Sequence, residues 1–144
     1  MANLIVNDLD EWIIAHNAEE CPIYVSSEGL SYGSNGDAAL NLATYKGVLL
    51  SKLYEHYYGR MYGLYTYSPI TLKATAGCAG KNKIKSKTPM IDAFMYEQIN
   101  TGFRNALIAG NLLNKTSYIH CVDDICDSYW ALKTMLIKEG FVNE

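Results

Sequence analysis

Three carboxylates in this chain are placed where they could do metal-assisted chemistry. Glu28 ends a stretch, PIYVSS, in which Ile23 and Val25 alternate with Tyr24 and Ser26, a pattern expected of a short strand over residues 22–27. A glycine-rich turn follows, with Gly29, Gly33, Asn35 and Gly36. A carboxylate at the C-terminal end of a strand, just before a flexible loop, occupies the position where open α/β sheets carry their sites. Far along the chain, DDICD at 123–127 spaces Asp124 and Asp127 three apart, on one face of a helix expected to open at Asp123. Oxygen donors of this kind suit Mg2+ or Mn2+. A plainer reading gives Asp123 and Asp124 a capping role at a helix N-terminus, which does not require Asp127.

The elements that must position these groups follow from periodicity. Residues 2–16 are expected to form a helix with an apolar stripe of Leu4, Ile5, Leu9, Trp12, Ile13 and Ile14, in preference to a strand NLIVND ending at Asp8. Residues 37–58 form a long helix whose expected buried face includes Ala38, Ala39, Leu42, Ala43, Val48, Leu49, Leu50, Leu53 and Tyr54, and Gly59 ends it. MYGLYTYS, residues 61–68, is a second strand, broken by Ser68-Pro69. Helices are expected over 88–98, with Met90, Ile91, Phe94 and Met95 inward, and over 101–114. The last, 123–138, is expected to bury Ile125, Cys126, Tyr129, Trp130, Leu132, Met135 and Leu136.

Charge is unevenly distributed. The net charge is −3, yet no acidic residue occurs between Glu55 and Asp92, where Arg60, Lys73, Lys81, Lys83, Lys85 and Lys87 lie. Such a strip suits a phosphodiester backbone, with Gly77 and Gly80 permitting close approach, unless it is a solvated loop. The segment lacks GxxxxGK[ST], which excludes a P-loop.

The order strand–Glu–loop–helix, strand, Lys/Gly segment, D-x-x-D helix resembles the RuvC-type Holliday junction resolvases of the RNase H-like superfamily. The pieces that carry it are IYVSSEGLSYG, NGDAALNLATYKGVL, YSPITLKATAGCAGKNKIKSK and DDICDSYWAL, within residues 4–139. The resemblance implies an α/β, RNase H-like fold, with a truncated sheet of two to three strands and four to five flanking helices. It implies a site of Glu28, Asp124 and Asp127 holding two Mg2+ or Mn2+ ions about 4 Å apart for phosphodiester hydrolysis. Lys73 matches the family's first DNA-contacting lysine and Lys85 or Lys87 the later one, with Lys81 and Lys83 beside them. One departure is expected: Met1 falls where the family's helix after its N-terminal strands begins, so the strand bearing the first catalytic aspartate has no counterpart.

That departure leaves three expectations: a partner fragment supplying the missing strands, a homodimer formed across the edge at residues 22–27, or a relative that has lost catalysis but still binds DNA or has a structural role. The expected DNA substrate is a branched or four-way junction.

Length and composition bound the rest. The chain has 144 residues, 49% apolar and 19% charged, which fits a single globular domain spanning 1–144. Cys21, Cys78, Cys121 and Cys126 show no CxxC pairing, so neither zinc nor a disulfide framework is indicated, and His120 with Cys121 and Cys126 is a poor metal set. With no signal peptide and no membrane-length apolar run, a cytoplasmic location is expected. Twelve tyrosines are many for this length and suit polar-rimmed surfaces or base stacking.

Overall fold

A computed structural model describes residues 1–29, 36–79, 88–97, 100–110 and 118–143. In chain order the elements are α1 (Ala2–Ala15), β1 (Ile23–Glu28), α2 (Gly36–His56), β2 (Met61–Tyr67), α3 (Pro69–Thr75), α4 (Thr88–Tyr96), α5 (Thr101–Ala109) and α6 (Tyr118–Lys138). The protein is mixed α/β, with β1 and β2 paired in parallel as a two-stranded open sheet and six helices among the described residues. The chain groups into two compact units, Met1–Val25 with Leu30–Tyr65, and Ser26–Gly29 with Thr66–Glu144.

In the first unit, α1 is a helix, as its 3.6-residue periodicity dictates. Val6, Leu9 and Ile13, spaced i, i+3 and i+7, face Leu49, Leu50, Leu53 and Tyr57 of α2, while Ile23, Val25 and Met61 join from the strands. Asn17, at φ 53°, closes α1: the amides of Asn17 and Ala18 donate to Ile14 and Ile13 carbonyls. This left-handed turn satisfies carbonyls that the helix leaves open. Arg60 then ties the α1–β1 connection down, its guanidinium donating to the carbonyls of Ala18 (2.9 Å) and Cys21 (3.1 Å).

The expected apolar faces of this unit are only partly used. Leu4, Ile5, Trp12 and Ile14 of α1, and Leu42, Val48 and Tyr54 of α2, are exposed. The buried stripe on each helix is narrower than its apolar composition, because one two-stranded sheet and one neighbouring helix offer limited cover.

The second unit is organised on α6. Val122, Cys126, Trp130 and Ala131 are buried against Leu72 of α3, Met90, Ile91, Phe94 and Met95 of α4, and Leu107 of α5. Trp130 is 1% exposed, and its indole N–H donates to the Met90 carbonyl at 3.2 Å. Ile125 and Leu132, expected inside, are exposed; Tyr129 and Leu136 are half-buried. Thr134 takes a core position, its hydroxyl donating to that of Thr75 across α6 and α3 at 2.8 Å, which satisfies a polar group at 1% exposure.

Helix α3 has no counterpart among the expected elements, α5 ends at Ala109 instead of 114, and α6 starts early. Ser68-Pro69 does end β2, but it also starts α3: the Ser68 hydroxyl accepts from the Thr71 amide at 3.3 Å and Pro69 occupies the first turn, where its missing N–H costs nothing. Gly77, at φ 69°, ends α3, with the Gly77 and Cys78 amides donating to the carbonyls of Ala74 and Lys73. That is a helix stop. Helix α6 begins at Tyr118 instead of 123, so Asp123 and Asp124 lie beyond its first turn and do not cap it.

Candidate functional site

Glu28 is the last residue of β1 and is half-buried. The next amide, Gly29, donates to the Tyr67 carbonyl at 2.6 Å, extending the parallel pairing one residue past Glu28 and fixing its backbone. A Cβ at position 29 would stand 3.1 Å from that carbonyl oxygen, so the close approach favours glycine. The hydroxyls of Ser27 and Thr66 lie 3.3 Å apart beside it.

Asp124 is exposed and Asp127 half-buried on α6. Glu28, Asp124 and Asp127 belong to the same compact unit. Their oxygen donors suit a hard divalent cation. Among the described residues, however, no three His, Cys, Asp or Glu side chains gather closely enough to hold a metal ion, and these three are all described. The donor chemistry fits Mg2+ or Mn2+, but the three carboxylates do not form a metal-holding group within this chain.

Lys73 is half-buried in the last turn of α3, where a cation complements the negative end of the helix. Lys81, Lys83, Lys85 and Lys87 lie outside the described residues. Cys78, five residues beyond Lys73, is a free thiol. Burial pushes its pKa up, Asp92 adds to this and Lys73 opposes it, so Cys78 is a thiol rather than a ready thiolate nucleophile.

Two polar clusters escaped the sequence reading because their members are distant in the chain. In the second unit, Lys133 Nζ lies 2.7 Å from Glu97 Oε1, and the Tyr129 hydroxyl donates to Glu97 Oε2 at 3.1 Å. The Lys133 hydrogen bond holds the Glu97 pKa below its ordinary value, against desolvation. Burial and Glu97 together raise that of Tyr129 to about 12. In the first unit, Asp10 accepts from the Tyr57 hydroxyl at 2.8 Å and stands 2.8 Å from His56 Nε2. Burial, then Asp10, pushes Tyr57 to about 12. His56 borders a polar cavity of about 420 Å3 with Asn3, Asn7, Lys52 and Glu55.

No family model matches the chain, and comparisons with known proteins and with solved structures return no match. Among the described residues, no helix is long and apolar enough to cross a membrane.

Proposed function

We propose that this chain is a divalent-metal-dependent, structure-selective endodeoxyribonuclease of the Holliday junction resolvase type, built on an RNase H-like α/β fold. The observation that carries the reading is Glu28, held at the end of β1 in a parallel β1–α2–β2 unit, sharing a compact unit with Asp124 and Asp127 of α6. Glu28, Asp124 and Asp127 supply hard oxygen donors of the kind that metal-dependent phosphodiester hydrolysis uses, although within this chain they do not gather into a metal-holding group. Glu28, Asp124 and Asp127 are the proposed metal-binding and catalytic residues, with Mg2+ or Mn2+ as cofactor. The strip from Lys73 through Lys81, Lys83, Lys85 and Lys87 is proposed to hold the DNA backbone. In this reading a further carboxylate comes from a second chain, either a copy or a separate fragment, and the cell compartment is the cytoplasm.

A second reading has a specific observation in its favour. Because the three carboxylates do not gather into a metal-holding group, the chain could bind DNA or serve an assembly without cutting. Junction binding separates from cleavage in one experiment. A labelled four-way junction is incubated with the chain in Mg2+, Mn2+ or EDTA, and both gel retardation and strand scission are read. Scission that needs the metal and vanishes in Glu28→Gln supports the nuclease. Retardation without scission supports the second reading.

A further inference from the structure

Between α3 and α6 of the second unit lies an open cleft of about 480 Å3 that the carboxylate site does not use. Thr71, Ala74 and Thr75 line it from α3, and Lys133, Ile137 and Lys138 from α6. Its charged lining groups are both lysines, in a chain whose net charge is −3.

Structural duties do not exhaust these lysines. Lys133 gives one N–H to Glu97 Oε1 at 2.7 Å and is steadied over the Trp130 ring. An ammonium carries three donors, so Lys133 still offers N–H groups from a fixed position, while Glu97 offsets its charge. Lys138 is exposed and makes no ion pair among the described residues. Nor is it needed to close its helix: the carbonyls of Met135, Leu136 and Ile137 accept from the amides of Glu139, Phe141 and Gly140. The carbonyls ending α3 are taken in the same way, those of Leu72, Lys73 and Ala74 by the amides of Ala76, Cys78 and Gly77.

The two threonines differ in what they can offer. Thr75 Oγ1 donates to the Thr71 carbonyl and accepts from Thr134, so its proton is committed. Ser68 Oγ can donate to Thr71 Oγ1 at 2.9 Å, which leaves the Thr71 proton for a ligand. Two ammonium groups and one hydroxyl, with no carboxylate in the lining, suit a compact anion with several acceptor oxygens, as a phosphate is. Ala74 and Ile137 beside them suit the carbon skeleton of an ester better than a fully hydrated free ion.

We propose that the α3–α6 cleft seats a backbone phosphate of a nucleic acid, with Lys138 as its charge partner and Lys133 and Thr71 as positioning donors. The source of that phosphate rests on the nuclease reading; the chemistry of the seat does not. The chain leaving α3 at Gly77 leads on to Lys81, Lys83, Lys85 and Lys87, the strip assigned above to the DNA backbone.

Two measurements test it: amide NMR of the chain titrated with the dinucleotide pTpT, and affinity for a four-way junction in EDTA across a salt series. The dinucleotide should shift the amides of Thr71, Gly77 and Lys138, and Lys138→Gln should weaken its binding several-fold. In the junction series, Lys138→Gln should reduce the slope of log affinity against log salt by about 0.9. Lys52→Gln, on α2 in the first unit, should leave that slope unchanged. Thr71→Val, which keeps the Thr71 amide for Ser68, should weaken pTpT with no change in slope. A chain that takes pTpT in this cleft and binds the junction without cutting it keeps the proposal and sinks only the nuclease reading. Absence of shifts at the cleft, or a junction slope indifferent to Lys138→Gln, overturns the proposal even where scission is seen. Inorganic phosphate that shifts the same amides as tightly as pTpT also overturns it, leaving an adventitious ion only.

Discussion

Lys133 Nζ lies 2.7 Å from Glu97 Oε1, and this pair fastens the middle of α6 to the end of α4. Both side chains keep only 30% of their surface exposed. Lys133 also stands over the Trp130 ring, 5.2 Å from its centroid, while Tyr129 holds the second carboxylate oxygen. Charge, hydrogen bonding and aromatic packing thus meet where the second unit's core reaches solvent.

The first expected outcome concerns acid. The Lys133 hydrogen bond lowers the Glu97 pKa in the folded protein, so Glu97 contributes stability above the ordinary glutamate range. That contribution is lost as pH falls through the depressed folded value, because the unfolded chain takes up the proton first. Glu97→Gln should cost about 1–2 kcal/mol at neutral pH. The variant should converge with wild type in urea titrations repeated at progressively lower pH. An equal difference at every pH would contradict the assignment.

At high pH the sign reverses. Tyr57 and Tyr129 are raised from 10.0 to about 12, so the folded state holds their protons more tightly than the unfolded one. Their contribution is complete below pH 10 and disappears as pH rises toward 12. Ultraviolet titration should show two phenols ionising late, together with loss of the folded circular-dichroism signal. Asp10→Asn should bring one of them, Tyr57, back toward its ordinary range and leave Tyr129 where it is.

Core packing gives a third. Trp130 is 1% exposed among Val122, Leu72, Phe94 and Met90, and Trp130→Ala removes that volume and its hydrogen bond to Met90. The expected loss is about 3–5 kcal/mol, read as a shift in denaturation midpoint. Leu132→Ala, on the exposed side of α6, should lie within about 1 kcal/mol of wild type.

Much of this architecture can be read from residue order. β1, β2 and the α2 crossover follow from two alternating runs around a long amphipathic one, and Met90, Ile91, Phe94 and Met95 all face the core as their spacing requires. Helix α3 was hidden because Ser68-Pro69 looks like a strand stop, and the same dipeptide makes a good helix start. Ile125 and Leu132 mislead because hydrophobicity does not say which side of α6 meets α3 and α4; Thr134, polar, lies on that side because Thr75 answers its hydroxyl. For the site, the strand-end position of Glu28 is local and legible. Whether carboxylates distant in the chain converge depends on packing, which local patterns do not encode.

A fourth outcome isolates the backbone next to Glu28. Gly29→Val would put branched carbons against the Tyr67 carbonyl, 3.1 Å from even a plain Cβ. The end of β1 must shift, at a cost of about 1–3 kcal/mol, and Glu28 with it. Junction cleavage should fall in this variant even at temperatures where circular dichroism shows it folded; full activity would detach Glu28 from the chemistry.

The central claim is tested most directly by scission of a four-way DNA junction as a function of Mg2+ by the purified chain, alone and with Glu28→Gln, Asp124→Asn or Asp127→Asn in its place. Each single substitution should lower the cleavage rate by at least about a hundredfold while circular dichroism shows the chain still folded. Wild-type scission that persists in EDTA, or that survives all three substitutions, would contradict the account.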